Sequence, residues 1–244
     1  MLVILCHPDD ASALWLDREL KSLDVTGVTV VSVEQLVYSR SITHVLTTSA
    51  EHGTIRLADG RTLHPDAITG LINRVRYVPT QHFTNAAAAD REYASAELHA
   101  FLLAWLNGIG GRVLNPARPL QLGGGSNSPI AIRHYAATAG LPTRAWREGT
   151  HDGGVAGRAR PAEADAPPSH VVTVLDTRVF GPILPADLQG GCCRLASYLG
   201  TPLLQVEFSH RDRDGFQFVH ATPMVDFPRG GRPLAVAIAK AVAG

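Results

Sequence analysis

The sequence contains little lysine. Of its 22 lysine and arginine residues only Lys21 and Lys240 are lysines, so the other 20 are arginines, and 22 acidic residues balance them to a net charge of zero. A neutral chain has no electrostatic reason to bind nucleic acid or an anionic membrane, and its sparse aromatic residues are not interleaved with a basic stripe. We therefore expect neither of these partners. The scarcity of lysine also removes that residue from most conceivable active sites.

Cysteine and long apolar runs are also scarce. Three cysteines, Cys6, Cys192 and Cys193, cannot build a disulfide framework, and two adjacent cysteines lack the spacing of a zinc clip. The sequence contains no run of about 18 apolar residues, the length that a helix needs to span a bilayer. The first residues are a short apolar run closed by His7-Pro8, which is not the pattern of a signal peptide. These absences predict a folded cytoplasmic protein.

The first third of the chain has a β-α-β pattern. The apolar run 1–6 (MLVILC) is typical of a buried parallel strand, and 28–33 (VTVVSV) predicts a second strand. Between them, Asp9 or Asp10 can cap a helix over 11–23. This order predicts a parallel sheet with a right-handed crossover, and therefore an α/β fold.

Further elements follow at short intervals. The patterns predict helices over 85–107, 130–139, 186–199 and 233–242, with strands at 44–48, 113–114, 171–175 and 178–183. Asp59-Gly60 and Asp214-Gly215 indicate two hairpins, the second joining strands 203–209 and 216–220. The segment 149–169, rich in Gly, Ala, Pro and charge, reads as an exposed linker.

His7-Pro8-Asp9-Asp10 is the first motif that could carry chemistry. It resembles the His-Pro-Asp-Asp-Glu opening of the PIG-L-type zinc-dependent N-deacetylases, which place His and Asp on zinc and use an Asp as general base. Ala11 stands where that family has Glu, and no HxxH motif supplies a third ligand. The alternative is a strand followed by a capped helix, with no metal.

The pair Arg74 and Arg76 is the second motif. Two residues apart on a strand, the side chains would share one face and could hold a carboxylate or phosphate through two-pronged hydrogen bonds. The alternative is a solvated edge or a buried structural ion pair.

Two loops leave binding and structural interpretations open. The glycine-rich stretch 123–128 precedes a helix, where backbone N–H groups favour anions, or it is a flexible turn. The second hairpin gathers four residues that could bind a metal or be merely solvated: His210, Asp212, Asp214 and His220.

Taken together, several segments resemble the ATP-grasp ligases, particularly the RimK-like and graspetide-type peptide maturases. The resemblance follows the order of the segments: Ile72–Arg76, Arg91–Trp105 with Leu114-Asn115-Pro116, Asn127–Thr143, Val206-Glu207-Phe208, and Phe218–Pro223 after Asp214-Gly215. It implies a pre-ATP-grasp-like domain with a parallel sheet over 1–112, a connecting helix region over 113–148, the linker 149–169, and an α+β ATP-grasp-like remnant over 170–244.

The sequence also departs from that family. The linker stands where the ligases have a nucleotide-binding subdomain with its lysines, and no lysine lies between Lys21 and Lys240. The Glu-x-Asn that holds magnesium in the family corresponds here to His220-Ala221-Thr222, and only Glu207 remains acidic. The resemblance therefore implies a shortened relative that does not hydrolyse ATP.

We accordingly predict a binding or accessory protein without cofactor or metal. Its partner would be a peptide, a small carboxylate or a partner enzyme, and it could form a homodimer. The candidate ligand-binding residues are Arg74, Arg76, Arg133, Glu207 and Thr222, and the candidate catalytic residues are His220 and Cys192. An active enzyme in the same cleft, either a minimal ATP-dependent ligase or one with new chemistry, remains the alternative, and the zinc deacetylase built on His7, Asp9 and Asp10 is a further one.

Overall fold

The computed structural model describes residues 1–46, 51–125, 128–144, 168–211 and 215–243. The strands are β1 (Leu2–Cys6), β2 (Val28–Ser32), β3 (Ser41–Leu46), β4 (Glu51–Arg56), β5 (Thr62–Leu63), β6 (Gly70–Asn73), β7 (Arg112–Leu114), β8 (His170–Leu175), β9 (Arg178–Phe180), β10 (Leu203–Arg211) and β11 (Gly215–Thr222). The helices are α1 (Ala11–Ser22), α2 (Val33–Val37), α3 (Ala88–Asn107), α4 (Pro129–Thr138), α5 (Ala186–Leu199) and α6 (Phe227–Ala243).

The N-terminal half is built on a four-stranded parallel sheet in the order β2-β1-β6-β7. β1 lies at its centre and is buried on both faces, because Leu2 and Ile4 pack into one apolar cluster while Val3 and Leu5 pack into another. A strand covered on both faces explains the uninterrupted apolar run at the start of the sequence.

Two helices cover one face of this sheet, one from each end of the chain. α1 contributes Leu16 and Leu20, and α6 contributes Leu234, Ile238 and Val242 at helical spacing. The last helix therefore completes the core of the first sheet. The division predicted at residue 170 stays a prediction. The apolar cluster that α6 joins also contains Leu175, Phe180 and Leu203, so α6 packs on both halves of the chain.

The other face of the parallel sheet packs against α2, α3 and a small antiparallel sheet. That sheet has the order β3-β4-β5 and contributes Ile55 and Leu63, while α3 contributes Leu102 and Trp105. α2 begins with a capping box in which the Ser32 hydroxyl accepts from the Gln35 backbone and the Gln35 side chain accepts in return. The sequence signal Ser-x-x-Gln was present, and our prediction missed this helix.

The C-terminal half is an antiparallel sheet in the order β11-β10-β8-β9, with α4 and α5 packed on one face. α5 ends at Gly200, which takes the left-handed conformation (φ 57°) that favours glycine. The bounds of α5 match the prediction of 186–199. α6 begins six residues earlier than predicted and is kinked at Gly231.

Some of the segments that we predicted lie outside the residues that the structure describes. Most of the predicted linker, at 149–167, lies outside the described residues, as do Asp212, Asp214 and the end of the predicted strand 44–48. Among the described helices, none is both long and apolar enough to span a bilayer.

Candidate functional site

The candidate site lies where the parallel strands end. The carboxyl ends of β1, β6 and β7 meet at one edge of the sheet, so His7, Arg76 and Asn115 approach one another although they are far apart in sequence. Ligands of open α/β sheets bind at this edge.

Two buried asparagines organise the edge. The Asn73 side-chain amide donates to the Asn115 carbonyl at 2.9 Å, and the Asn115 side chain donates to the Pro223 carbonyl at 3.1 Å while accepting from the Leu203 backbone N–H at 3.2 Å. Asn115 has a φ of 64°, a left-handed conformation that asparagine tolerates better than most residues. These bonds fasten the N-terminal sheet to the C-terminal sheet.

The three glycines at 123–125 pack tightly between the two halves. A Cβ on Gly123 would lie 2.2 Å from the Val75 carbonyl oxygen, and Gly124 and Gly125 have positive φ with Asn115 and Pro223 beside them. Their role in the structure is close backbone approach. Ser126 and Asn127, which completed the predicted anion loop, lie outside the described residues.

Arg74 lies in a buried ion pair. Its Nε and Nη2 donate to Asp10 Oδ2 and Oδ1 at 2.8 and 3.0 Å, and Nη1 donates to the Val225 carbonyl at 2.7 Å. The guanidinium also lies over the Phe227 ring, 4.7 Å from its centroid. Arg74 therefore fits the alternative of a buried structural ion pair. It does not fit a ligand-binding role, because all three guanidinium nitrogens are already bonded to protein.

The Asp10 carboxylate is held ionised by this contact. Burial alone would raise the pKa of Asp10, but the hydrogen bonds and charge of Arg74 and the Ala13 backbone N–H outweigh burial and lower the pKa below its usual value. Asp10 thus has two structural tasks, since it also caps α1.

Arg76 faces outward. Its side chain is 40% exposed and its Nη2 pairs with Asp9 Oδ1. β6 ends at Asn73, so the two arginines are not on a strand and do not present a shared face. Arg76 has N–H groups that a ligand can reach, whereas the Arg74 side chain points into the protein interior.

His7 is buried and bonded at both ring nitrogens. Nδ1 lies 3.2 Å from Glu34 Oε1, Nε2 lies 3.2 Å from the Arg76 backbone nitrogen, and the ring stacks on Tyr77 with centroids 4.3 Å apart. A zinc ligand needs a free lone pair, and the lone pair of His7 Nε2 already accepts a hydrogen bond from the Arg76 backbone N–H.

The zinc deacetylase alternative is therefore wrong for this site. Asp10 is committed to Arg74, and within the described ranges no three His, Cys, Asp or Glu side chains are grouped as a metal site. A metal ligand set needs several free donors at one point, which this arrangement of His7, Asp9 and Asp10 does not supply.

The C-terminal sheet presents a polar face opposite Arg76. Glu207 pairs with His220 across β10 and β11, and Gln205 pairs with Thr222, so these four side chains share the face opposite the one that packs on α4 and α5. Gln205 Nε2 donates to Glu207 Oε1 at 2.7 Å, and Thr222 Oγ1 accepts from the Met224 backbone at 3.1 Å.

A cleft of about 210 Å³ joins the two sides. Arg76 and Gln121 line it from the N-terminal half, and His220, Thr222 and Met224 line it from the C-terminal half. The structure thus brings Arg76, His220 and Thr222 to one cavity, with Glu207 beside His220.

Two other candidates lie elsewhere. Cys192 is fully buried in the core between α4, α5 and the antiparallel sheet, and burial raises the pKa of its thiol to about 12. A thiol that is neither ionised nor accessible is a poor nucleophile, so its burial argues against the predicted catalytic role of Cys192. Arg133 is half-buried on α4, next to Ile132 of the cleft.

Sequence reasoning missed Gln121, Asn73 and Asn115. The two asparagines stood inside motifs that we singled out for other reasons. Gln121 lies in a short stretch between Pro119 and the glycines, where no local pattern distinguishes it from other loop residues.

Neither a scan against protein-family models nor a search of curated proteins found a match. The macrocyclase MdnC from Microcystis aeruginosa MRC, solved with its precursor peptide MdnA, superimposes with a TM-score of 0.73 at 12% identity over 100% of both chains. A RiPP-associated ATP-grasp ligase from Chryseobacterium gregarium, solved with ADP and a leader and core peptide, gives a TM-score of 0.72 at 12% identity over 99% of this chain and 96% of its own.

A third solved structure agrees. The ATP-grasp ligase PsnB, complexed with the precursor peptide PsnA2 and AMPPNP, matches with a TM-score of 0.61 at 16% identity over 100% of this chain and 98% of its own. Likeness at these identities establishes the fold, and it confirms the fold class predicted from the order of segments. The chain has the ATP-grasp-like fold of the peptide ligases.

Proposed function

We propose that this chain is an ATP-grasp-like peptide-binding protein that does not hydrolyse ATP. Its cleft would hold a peptide carboxylate against Arg76, with His220 and Thr222 on the opposite wall. The observation that carries the proposal is the cleft itself, whose described lining includes Arg76 and His220 and no carboxylate. Arg76 pairs with Asp9 through Nη2, and its remaining N–H groups suit a carboxylate through charge-assisted hydrogen bonds.

The positions of the two lysines support the proposal that the chain does not hydrolyse ATP. Lys21 pairs with Asp17 on α1 at 2.7 Å, and Lys240 belongs to α6, so both are on the two helices that cover one face of the parallel sheet. Neither lines the cleft. Phosphoryl transfer depends on cations and Mg²⁺ held at the phosphates, and His220 and Thr222 are weaker ligands for that hard metal than carboxylate and amide oxygens.

The relatives of this fold support a peptide as the ligand. MdnC, PsnB and the Chryseobacterium gregarium ligase were all solved with precursor or leader and core peptides. The chain has the fold of these ligases but has His220 and Thr222 where the family has magnesium ligands. This combination is consistent with a protein that still binds a peptide and no longer catalyses the ATP-dependent reaction. A cytoplasmic location and a homodimer belong to the same proposal.

One observation favours an active ligase instead. The alignments cover 96% to 100% of the ligase chains, so the likeness is not confined to one part of those enzymes. The loss of a nucleotide-binding subdomain remains a prediction, because its place in the sequence falls within 145–167, outside the described residues.

Nucleotide titration separates the two functions. We expect isothermal titration calorimetry of Mg-ATP to give no binding in the micromolar range, and no ADP to form during incubation with a carboxylate-bearing peptide. Micromolar binding of Mg-ATP would overturn the proposal and favour the ligase.

Peptide binding tests the carboxylate site. Arg76→Ala should weaken binding of a Glu-containing peptide about tenfold to hundredfold, because a charge-assisted bond is lost. Arg61→Ala is the matched control, since Arg61 is 41% exposed and also paired with an aspartate, Asp59, in a hairpin remote from the cleft. Equal effects of the two variants would remove Arg76 from the site.

A further inference from the structure

A second cavity, of about 590 Å³, lies beside the cleft. Its walls are α4, the end of α5 and the turn Arg118–Gln121, and its lining is mostly apolar. This volume is within the range of about 300 to 1,000 Å³ that is typical of ligand pockets. The cleft alone, at about 210 Å³, is smaller than that.

Two tyrosines form one wall. Tyr135 of α4 and Tyr198 of α5 stand side by side with ring centroids 6.3 Å apart, yet they are 38% and 47% exposed. The helices beneath them pack through Ala136 and Leu195 in a buried core. The aromatic wall is therefore preformed on a rigid support, with its rings turned to solvent.

The turn Arg118–Gln121 forms the facing wall. Arg118 and Gln121 exchange two backbone hydrogen bonds of 3.0 Å, and Arg118 Nη2 donates to the Leu199 carbonyl at 3.0 Å. These bonds hold the turn against the end of α5. Leu120, at its tip, is 96% exposed. A large apolar side chain that is held in solvent beside two exposed rings indicates a surface built to contact something apolar.

Gln121 connects this cavity with the cleft. It lines both of them, and it also lines a third cavity of about 330 Å³ that contains Arg76 and Leu120. Its side-chain oxygen Oε1 is buried and has no hydrogen-bond partner among the described residues. An oxygen without solvent-accessible surface does not face a cavity, so Gln121 lines the three cavities through the rest of its side chain and its backbone.

These features select the chemistry of the occupant. Gln121 lines both cavities, so a peptide that holds its carboxylate at Arg76 can pass Gln121 and place an apolar side chain against the tyrosine wall. The described lining of the second cavity contains Arg118 and no carboxylate, so nothing there favours a basic side chain.

We propose that this cavity receives one bulky apolar side chain, aromatic or branched, of a peptide whose main chain passes Gln121 and whose carboxylate lies at Arg76. The proposal rests on the proposed function, and it adds a specificity pocket to it: an apolar residue near the acidic one. Leu120, Tyr135 and Tyr198 contact that side chain.

The probes are synthetic peptides, acetyl-Trp-(Gly)n-Glu-amide with one to four glycines, measured by calorimetry against the full chain. Replacing Trp by Ala in the tightest probe should weaken binding about tenfold to hundredfold, the loss expected when a large apolar side chain is no longer buried. A neutral probe, N-acetyltryptophanamide, tests the cavity without any carboxylate.

The variants are chosen to leave folding intact. Leu120→Ser should weaken the Trp probe about tenfold and leave the Ala probe unchanged. Ile183→Ser is the control, because Ile183 is equally exposed, at 94%, and lies before α5 away from the cavity.

The outcomes separate the two proposals. If the Trp and Ala probes bind equally and both depend on Arg76, the carboxylate site stands and the apolar pocket is overturned. If N-acetyltryptophanamide binds and Leu120→Ser abolishes binding while no probe responds to Arg76→Ala, the pocket stands and the carboxylate site falls. If no probe binds, both are overturned.

Discussion

Arg74 and Asp10 form a two-pronged ion pair inside the protein, with Nε to Oδ2 at 2.8 Å and Nη2 to Oδ1 at 3.0 Å. The pair joins the end of β6 to the first turn of α1, and the third guanidinium nitrogen reaches the Val225 carbonyl before α6. One contact thus ties the carboxyl edge of the sheet to both helices that cover it. Arg76, two residues later, lines the cleft and pairs with Asp9.

Removing one partner of this pair should be costly. Asp10→Ala leaves the buried Arg74 guanidinium without its counter-ion and removes the cap of α1, so we expect the free energy of unfolding to fall by about 3–5 kcal/mol. Urea denaturation measures this. Asp59→Ala is the control, because the Asp59–Arg61 pair lies on an exposed hairpin and such pairs contribute little. A loss for Asp10→Ala no larger than for Asp59→Ala would contradict the structural role of the pair.

The same pair should make stability depend on acid pH. The folded-state pKa of Asp10 is lowered, so its contribution is present above the unfolded-state pKa of about 3.9 and is lost as the pH falls through the folded value. The gap in stability between the wild type and Asp10→Asn should therefore be constant from about pH 5 to 7 and narrow below about pH 4. Urea midpoints across this range test the sign, and a gap that widens in acid would refute it.

Much of the fold could be predicted from the sequence because its signals are local. The β-α-β order near the N-terminus predicts the parallel pairing of β1 and β2, and Pro185 and Gly200 mark both ends of α5. The hairpin at Asp59-Gly60 follows from turn chemistry alone. These features depend on residues only a few positions apart.

The site could be predicted only in part, because its contacts span long distances in the sequence. Arg74 and Asp10 are 64 positions apart, and the rule that alternate residues share a face fails once β6 ends at Asn73. No local pattern reveals that Gln121 lines three cavities. The packing of α6 on the first sheet is likewise a tertiary contact. The apolar stripe of α6 predicts that one face of the helix is buried, but it does not tell which element covers that face.

The cysteines should differ in reactivity. Burial raises the pKa of all three thiols, to about 11 for Cys6 and about 12 for Cys192, but Cys193 is only half-buried and therefore accessible. A disulfide reagent such as DTNB at pH 8 should therefore modify Cys193 first and leave the other two unmodified while the protein stays folded. All three should react in guanidinium chloride. Cys193→Ser should abolish the early reaction, and rapid labelling that persists in this variant would show that Cys6 or Cys192 is accessible.

His7 should accept a hydrogen bond at Nε2 and carry its ring proton on Nδ1. The Arg76 backbone N–H can only donate, so Nε2 at 3.2 Å must accept, and Nδ1 then donates to the Glu34 carboxylate at 3.2 Å. Nitrogen-15 NMR at pH 7 should show this tautomer, and a protonated Nε2 would contradict it. His7→Phe keeps the stacking on Tyr77 but leaves a part-buried N–H without an acceptor, so unfolding should become easier by about 1–3 kcal/mol. His64→Phe is the control, because His64 is exposed and bonds only a surface threonine hydroxyl among its described contacts, so it should change stability far less.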